Sequence, residues 1–200
     1  MPHTLDAVAA SPWILAVVFV VAGLDALLPF MPSESTVLAC GVAAANTGRP
    51  HLGLLIVVAA AGAWLGDVLS YRLGRRSTAA VTARLSHRRA VAVHAWVHRL
   101  LHSRGGLVIV FARYVPGGRS TTALAAGLVG YPARRFGWYT AGGVLLWSVQ
   151  GALLGYIGGA FFESRPLLGL LVAWSGAFVI TGLAVGIRRL ADREVRAGVR

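Results

Sequence analysis

The sequence predicts an all-α polytopic membrane protein: two opposed re-entrant helical hairpins with three to four transmembrane helices, arranged as an inverted repeat. Three observations carry that reading. Of 200 residues, 56% are hydrophobic and only 13% charged, whereas an average soluble domain is about a quarter charged. The apolar residues gather into six runs, two of them broken by proline and glycine. The arginines gather between those runs. Nineteen basic residues, all Arg, stand against seven acidic ones, a formal charge of +12. Basic charge on so apolar a chain speaks for a bilayer and against nucleic acid. Cys40 is the single cysteine, which excludes an internal disulfide.

The apolar runs cover 13–31, 36–45, 52–71, 105–130, 136–162 and 167–187. No Lys or Arg precedes Trp13, so the charged region of a signal peptide is missing and the first run is expected to be retained. A helix needs roughly 20 apolar residues to cross the hydrocarbon. The runs 52–71, 136–162 and 167–187 meet that length, the first within a helix expected over 51–71. In the first run Pro29-Phe30-Met31-Pro32 divides Trp13–Leu28 from Ser33–Ala45, giving a hairpin over 12–46, with a full first span as the alternative. In 105–131, Pro116-Gly117-Gly118 interrupts the middle and predicts the second hairpin, because proline removes a donor and glycine relaxes the backbone. Such backbone survives at membrane depth only when shielded by protein or lining a wet cavity.

Arginine density orients the chain. Eight Arg lie in 72–104, two at Arg134 and Arg135, and five in the tail 188–200. Placing these in the cytoplasm, the C-terminus included, makes the two hairpins enter from opposite faces. Opposed hairpins imply a duplication. An offset of 85 positions pairs Glu34-Ser35-Thr36 with Arg119-Ser120-Thr121, Gly66 with Gly151, Tyr71 with Tyr156, and Gly74 with Gly159. Broken helices in inverted repeats are a transporter signature.

Asp25, Glu34, Arg113 and Arg119 flank the two breaks. An ionised group at the bilayer centre costs at least about 2.5–3.5 kcal/mol, so these groups need partners or a charged cargo. One reading is structural: ion pairs lock the hairpins together. The other is a site where two Arg receive phosphate oxygens and two acids, Asp25 and Glu34, carry protons. The readings are compatible, since the acids can neutralise the Arg pair when the site is empty. Asp67 is expected to pair locally with Arg72 or Arg75, with a proton-relay role as the alternative. In 72–104, His94, His98 and His102 share one helical face beside an apolar stripe. That pattern reads as an amphipathic segment meeting anionic lipid in the headgroup layer. No carboxylate accompanies these histidines, so no metal site is expected.

These residues carry a resemblance. Asp25-Ala-Leu-Leu-Pro29-Phe-Met-Pro32-Ser33-Glu34 resembles the acid-proline-acid element of the DedA (VTT-domain) membrane family. Gly66-Asp67, Tyr71 and Gly74-Arg75 resemble its second element. Phe111-Ala-Arg113-Tyr114-Val-Pro116-Gly117-Gly118-Arg119 resembles its most specific one. Asp25 stands where many members have Glu followed by Asn; here the next residue is Ala26. The resemblance implies a multi-pass protein of the bacterial inner membrane that moves undecaprenyl phosphate or a phospholipid such as phosphatidylethanolamine, with the proton gradient as coupling ion and no other cofactor. It also implies that Arg113 and Arg119, with Tyr114, Pro116, Gly117 and Gly118, contact the headgroup, while Asp25 and Glu34 couple protons and Pro32, Ser33, Asp67, Tyr71 and Arg75 support them.

Other classes fit less well. A membrane phosphatase or transferase needs a His nucleophile or clustered Asp ligands within the membrane, and here the histidines lie outside the apolar runs. Proton-coupled antiport of a cation or drug, and a non-transporting assembly factor, remain open alternatives. The glycines at Gly151–Gly159 can pack within the chain or against a second copy in a homo-oligomer.

Overall fold

The computed structural model describes residues 13–28, 32–84, 88–114 and 117–161, with side chains placed at all of these but 79–96, 102 and 104. The expected span 167–187 and the tail 188–200 lie outside the described residues, as do Pro29 and Pro116. Every described element is helical: α1 (Trp13–Leu24), α2 (Ser33–Thr47), α3 (Leu52–Arg84), α4 (Arg88–Phe111), a short 3₁₀ turn (Ala112–Tyr114), α5 (Gly118–Leu128) and α6 (Ala133–Phe161).

The breaks fall where proline and glycine place them. α1 ends in a turn at Asp25–Leu27, and α2 starts directly after Pro32. On the other side α4 tightens into the 3₁₀ turn, and Gly117 opens α5 with φ of +69°, a conformation in which a Cβ would clash. α2 closes on Gly48, whose N–H reaches back to the Ala44 carbonyl, the ordinary glycine C-cap.

Two expected boundaries differ. The segment 72–104 is not a separate element: α3 runs unbroken from Leu52 to Arg84, and α4 runs from Arg88 through the apolar residues to Phe111. Polarity changes at Arg72, but 72–84 contains no proline and only one glycine, so nothing stops the helix there.

α3 and α6 are long and apolar enough to span a bilayer, over Leu52–Thr78 and Ala133–Phe161. They pack antiparallel. Tyr71 stacks on Phe136 at one end, with ring centroids 4.7 Å apart, while His51 and Leu52 share a pocket with Tyr156 at the other. Leu55, Ala59 and Ala63 of α3 meet Val144, Trp147 and Ala152 of α6 in one core, joined by Val18 and Ala22 of α1 and Val37 and Cys40 of α2. The outer faces stay apolar: Val57, Leu65, Leu69, Leu145, Leu153 and Ile157 are all exposed, as lipid-facing residues are.

The short helices are exchanged between halves. α2 packs on α6 and α5 on α3, whereas α1 packs on α3 and α4 on α6. Glycines make both exchanges close. A Cβ on Gly155 would sit 2.3 Å from the Leu38 carbonyl oxygen, and one on Gly127 would sit 2.1 Å from that of Tyr71. The glycines Gly151, Gly155 and Gly159 therefore pack within the chain, against Val37, Leu38 and Val42 of α2. Residue 33 begins α2 and residue 118 begins α5, the same offset of 85 that aligns the two half-sequences.

Candidate functional site

Four charged side chains meet where both broken segments reach α3. Asp67 is 3% exposed at its side chain and lies between two guanidinium groups. Arg113 Nη2 donates to its Oδ2 at 2.5 Å, and Arg119 Nε donates to its Oδ1 at 2.6 Å. Arg119 also donates through Nη1 to Asp25 Oδ2 at 3.0 Å and through Nη2 to the backbone oxygens of Ala22 (3.1 Å) and Ala63 (2.9 Å). Asp25 takes a further bond from the Ser33 hydroxyl at 2.8 Å. The three salt bridges of the site all join an acid of the first half to an arginine of the second.

Local structure explains the convergence. Asp25 sits in the turn after α1, where its backbone carbonyl also accepts from Ser120 at 3.4 Å. Asp67 projects from α3 one turn before Tyr71. Arg113 is held by the 3₁₀ turn and Arg119 by the first turn of α5. Arg119 is an anchor, with four of its five N–H groups committed. Arg113 differs. Its side chain is only 4% exposed, yet among the described residues its Nε and Nη1 have no hydrogen-bond partner. A buried guanidinium with unused donors carries a substantial desolvation cost and is suited to an incoming anion.

The remaining expected residues are placed as follows. Tyr114 donates its hydroxyl to Gln150 Oε1 at 3.0 Å. Ser33 is buried and holds Asp25. Pro32 supplies its carbonyl to the Thr36 side chain at 2.9 Å, and Gly117 and Gly118 shape the start of α5. Glu34 lies in the first turn of α2 and is exposed, outside the salt-bridged group. Tyr71 and Arg75 form their own cluster: the Tyr71 hydroxyl donates to the Tyr131 carbonyl at 2.5 Å and accepts from Arg75 Nη1 at 2.9 Å.

Asp67 corrects the expectation of local pairing. Its partners are Arg113 and Arg119, not Arg72 or Arg75, because Asp67 faces inward while Arg72 and Arg75 lie exposed beyond the apolar stretch. Gln150 was missed. A lone amide in the middle of an apolar span is the signal that marks it. Of the histidine trio only the His98 side chain is described, and it is exposed. Among the described residues no cluster of His, Cys, Asp and Glu could hold a metal.

The VTT domain family matches residues 31–157, a stretch that includes Asp67 and both arginines of this site. The chain belongs to the DedA/VTT family of membrane proteins. Protein DedA of Escherichia coli K12 is 24% identical over 196 residues, covering 94% of this chain and 86% of that one. The inner membrane protein YqjA of the same strain is 34% identical over 147 residues, covering 70% and 66%. An uncharacterized membrane protein of Mycobacterium tuberculosis H37Rv is 32% identical over 156 residues, covering 76% and 67%. No solved structure matches this VTT-domain chain.

Proposed function

We propose that this DedA/VTT protein carries a phosphate-bearing lipid between leaflets of the bacterial inner membrane, changing the lipid's position and not its chemistry. The observation that supports this best is Arg113, a buried guanidinium with two nitrogens unused and one carboxylate contact among the described residues. A phosphate oxygen supplies the missing acceptors. Arg119 takes a supporting part, since its donors already tie α5 to α1 and α3.

In this reading the two broken segments are re-entrant hairpins entering from opposite faces, and the site lies where they meet α3. Asp25 and Glu34 couple transport to the proton gradient. Arrival of a phosphate competes with Asp67 for Arg113. Undecaprenyl phosphate and phosphatidylethanolamine both offer the required oxygens. Anionic lipid meets the exposed arginines Arg72, Arg75, Arg76, Arg134 and Arg135 at the arginine-rich face, which is cytoplasmic.

The test is leaflet exchange in liposomes loaded asymmetrically with undecaprenyl phosphate or labelled phosphatidylethanolamine, with and without a pH gradient. Exchange is expected for wild type and lost in Arg113→Ala and Arg113→Lys, since Lys lacks the planar donor array. Folded, inserted wild-type protein that moves neither lipid refutes the lipid reading. Proton-coupled antiport of a cation is then the successor, with exposed Glu34 as its acceptor.

A further inference from the structure

Most glycines at the helix crossings are there because a neighbouring backbone leaves no choice. A Cβ on Gly66 would lie 2.1 Å from the Gly23 carbonyl oxygen, and one on Gly74 would lie 2.2 Å from that of Leu124. Gly143 of α6 is different. It is buried, yet a Cβ there would lie 3.4 Å from Val110 Cα, 3.5 Å from Arg113 Nε and 3.8 Å from the Val110 carbonyl oxygen. Those are ordinary contacts. Helix packing therefore does not demand glycine at this position, and alanine is the better helix former. What the glycine leaves is a slot one methyl group wide, bordered by Arg113 Nε.

The donor that borders the slot is one of the two Arg113 nitrogens with no partner among the described residues, on a side chain only 4% exposed. Asp67 on α3 takes Nη2, so α3 supplies the anion on one side and α6 supplies only space on the other. The turn that holds Arg113 is also tied to α6: Tyr114 donates to Gln150, which lies seven residues after Gly143 and so on nearly the same helical face. The offset of 85 sets Leu28 against Arg113 and Val58 against Gly143. The first half has aliphatic side chains at both places, so the slot occurs only where the cation does.

We propose that Gly143 is a substrate-binding position, whose missing side chain lets a phosphoryl oxygen seat against Arg113 Nε from the α6 side. Nε and Nη2 lie along one edge of a guanidinium, the edge that receives two oxygens of one group in parallel. A first oxygen in the slot takes Nε without disturbing Asp67. A second oxygen of the same phosphate then reaches Nη2, where it meets Asp67. The slot admits a non-bridging oxygen and excludes an esterified one, which carries a carbon. The ligand it selects is a group with two unsubstituted phosphoryl oxygens, in a lipid headgroup or a free phosphate. That the group belongs to a lipid rests on the carrier reading.

The experiment is isothermal titration of full-length protein in detergent micelles, with farnesyl phosphate and dihexanoyl phosphatidylethanolamine as lipid probes and inorganic phosphate as the soluble one. Gly143→Ala, whose methyl covers Nε, should weaken binding of the probe that wild type takes by about tenfold or more, as the loss of one charge-assisted hydrogen bond requires. Its unfolding in SDS should match wild type. Gly142→Ala makes the same change one residue earlier, where a Cβ meets nothing within 4 Å, and should bind as wild type. Wild-type affinity in folded Gly143→Ala, or equal weakening in both variants, overturns the proposal. If Gly143→Ala does not fold, unaltered protein decides. In ¹⁵N-arginine-labelled protein the Arg113 Nε–H resonance, assigned by its loss in Arg113→Lys, should shift at saturation; an unmoved resonance overturns the slot. Wild-type affinity in Gly143→Ala beside lost binding in Arg113→Lys removes the slot and keeps the lipid reading. Binding of inorganic phosphate alone, weakened by Gly143→Ala, keeps the slot and removes the lipid. A wild type that binds no probe removes both.

Discussion

Asp67→Asn is the substitution whose effect the geometry fixes most tightly. The change is isosteric, so packing in α3 is kept and only charge is lost. The two arginines then fare differently. Arg119 retains Asp25 and two backbone carbonyls. Arg113 has no second carboxylate among the described residues, and its side chain is 4% exposed. The variant therefore strands one buried guanidinium, and breaking a buried pair in this way costs about 3–5 kcal/mol. Asp25→Asn should cost less, about 1 kcal/mol, because Asp25 is 20% exposed at its side chain and makes the longer contact. The decisive comparison is the double variant Asp67→Asn/Arg113→Met, which removes the stranded charge together with its partner. It should be more stable than Asp67→Asn alone by about 2 kcal/mol, since replacing both members of a buried pair is often nearly neutral. Reversible unfolding by SDS titration in mixed micelles, followed by tryptophan fluorescence, measures all four proteins. A double variant no more stable than Asp67→Asn, or an Asp67→Asn loss below about 1 kcal/mol, would refute the assignment of Arg113 to Asp67.

Further outcomes follow from the same contacts. Arg119→Lys should lose about 2 kcal/mol in the same titration, because an ammonium cannot hold Asp67, Asp25 and two separated carbonyls together. Gly155→Ala and Gly127→Ala should each cost about 1–3 kcal/mol by forcing helices apart, whereas Gly142→Ala, which meets nothing within 4 Å, should be neutral or slightly stabilising; folded yield on size exclusion ranks them. Tyr71→Phe should cost about 1 kcal/mol for its lost hydroxyl bonds, read by the same unfolding assay. Cys40 is buried against the core, so maleimide should leave it unmodified in the native protein and label it stoichiometrically after denaturation, as mass spectrometry would show.

The helical breaks and three of the four site charges were legible because local chemistry determines them. α2 begins directly after Pro32 and α5 directly after Gly117, and an Asp or Arg beside such a break within an apolar run is conspicuous by cost alone. Asp67 was conspicuous too, but its partners lie 46 and 52 residues away. Helical spacing suggested Arg75, and tertiary packing overruled it. The continuation of α3 past Arg72 was hidden for a related reason: a change in polarity marks where a membrane ends, not where a helix does. Gln150 passed unnoticed because it breaks no pattern except that of composition.

The exchange of α2 and α5 between halves also sets an order on the making of this protein. Asp25 is made 94 residues before Arg119, and Asp67 is made 46 residues before Arg113. At about 5–20 residues per second of synthesis, Asp25 waits on the order of 5–20 s for its cation. α2 meanwhile has no α6 to lie on. During that interval Asp25 and Asp67 lack the arginines that pair with them in the finished fold. The membrane core of this protein can therefore be completed only when its two halves close over each other, and a chain halted after α3 should be a substrate for quality control.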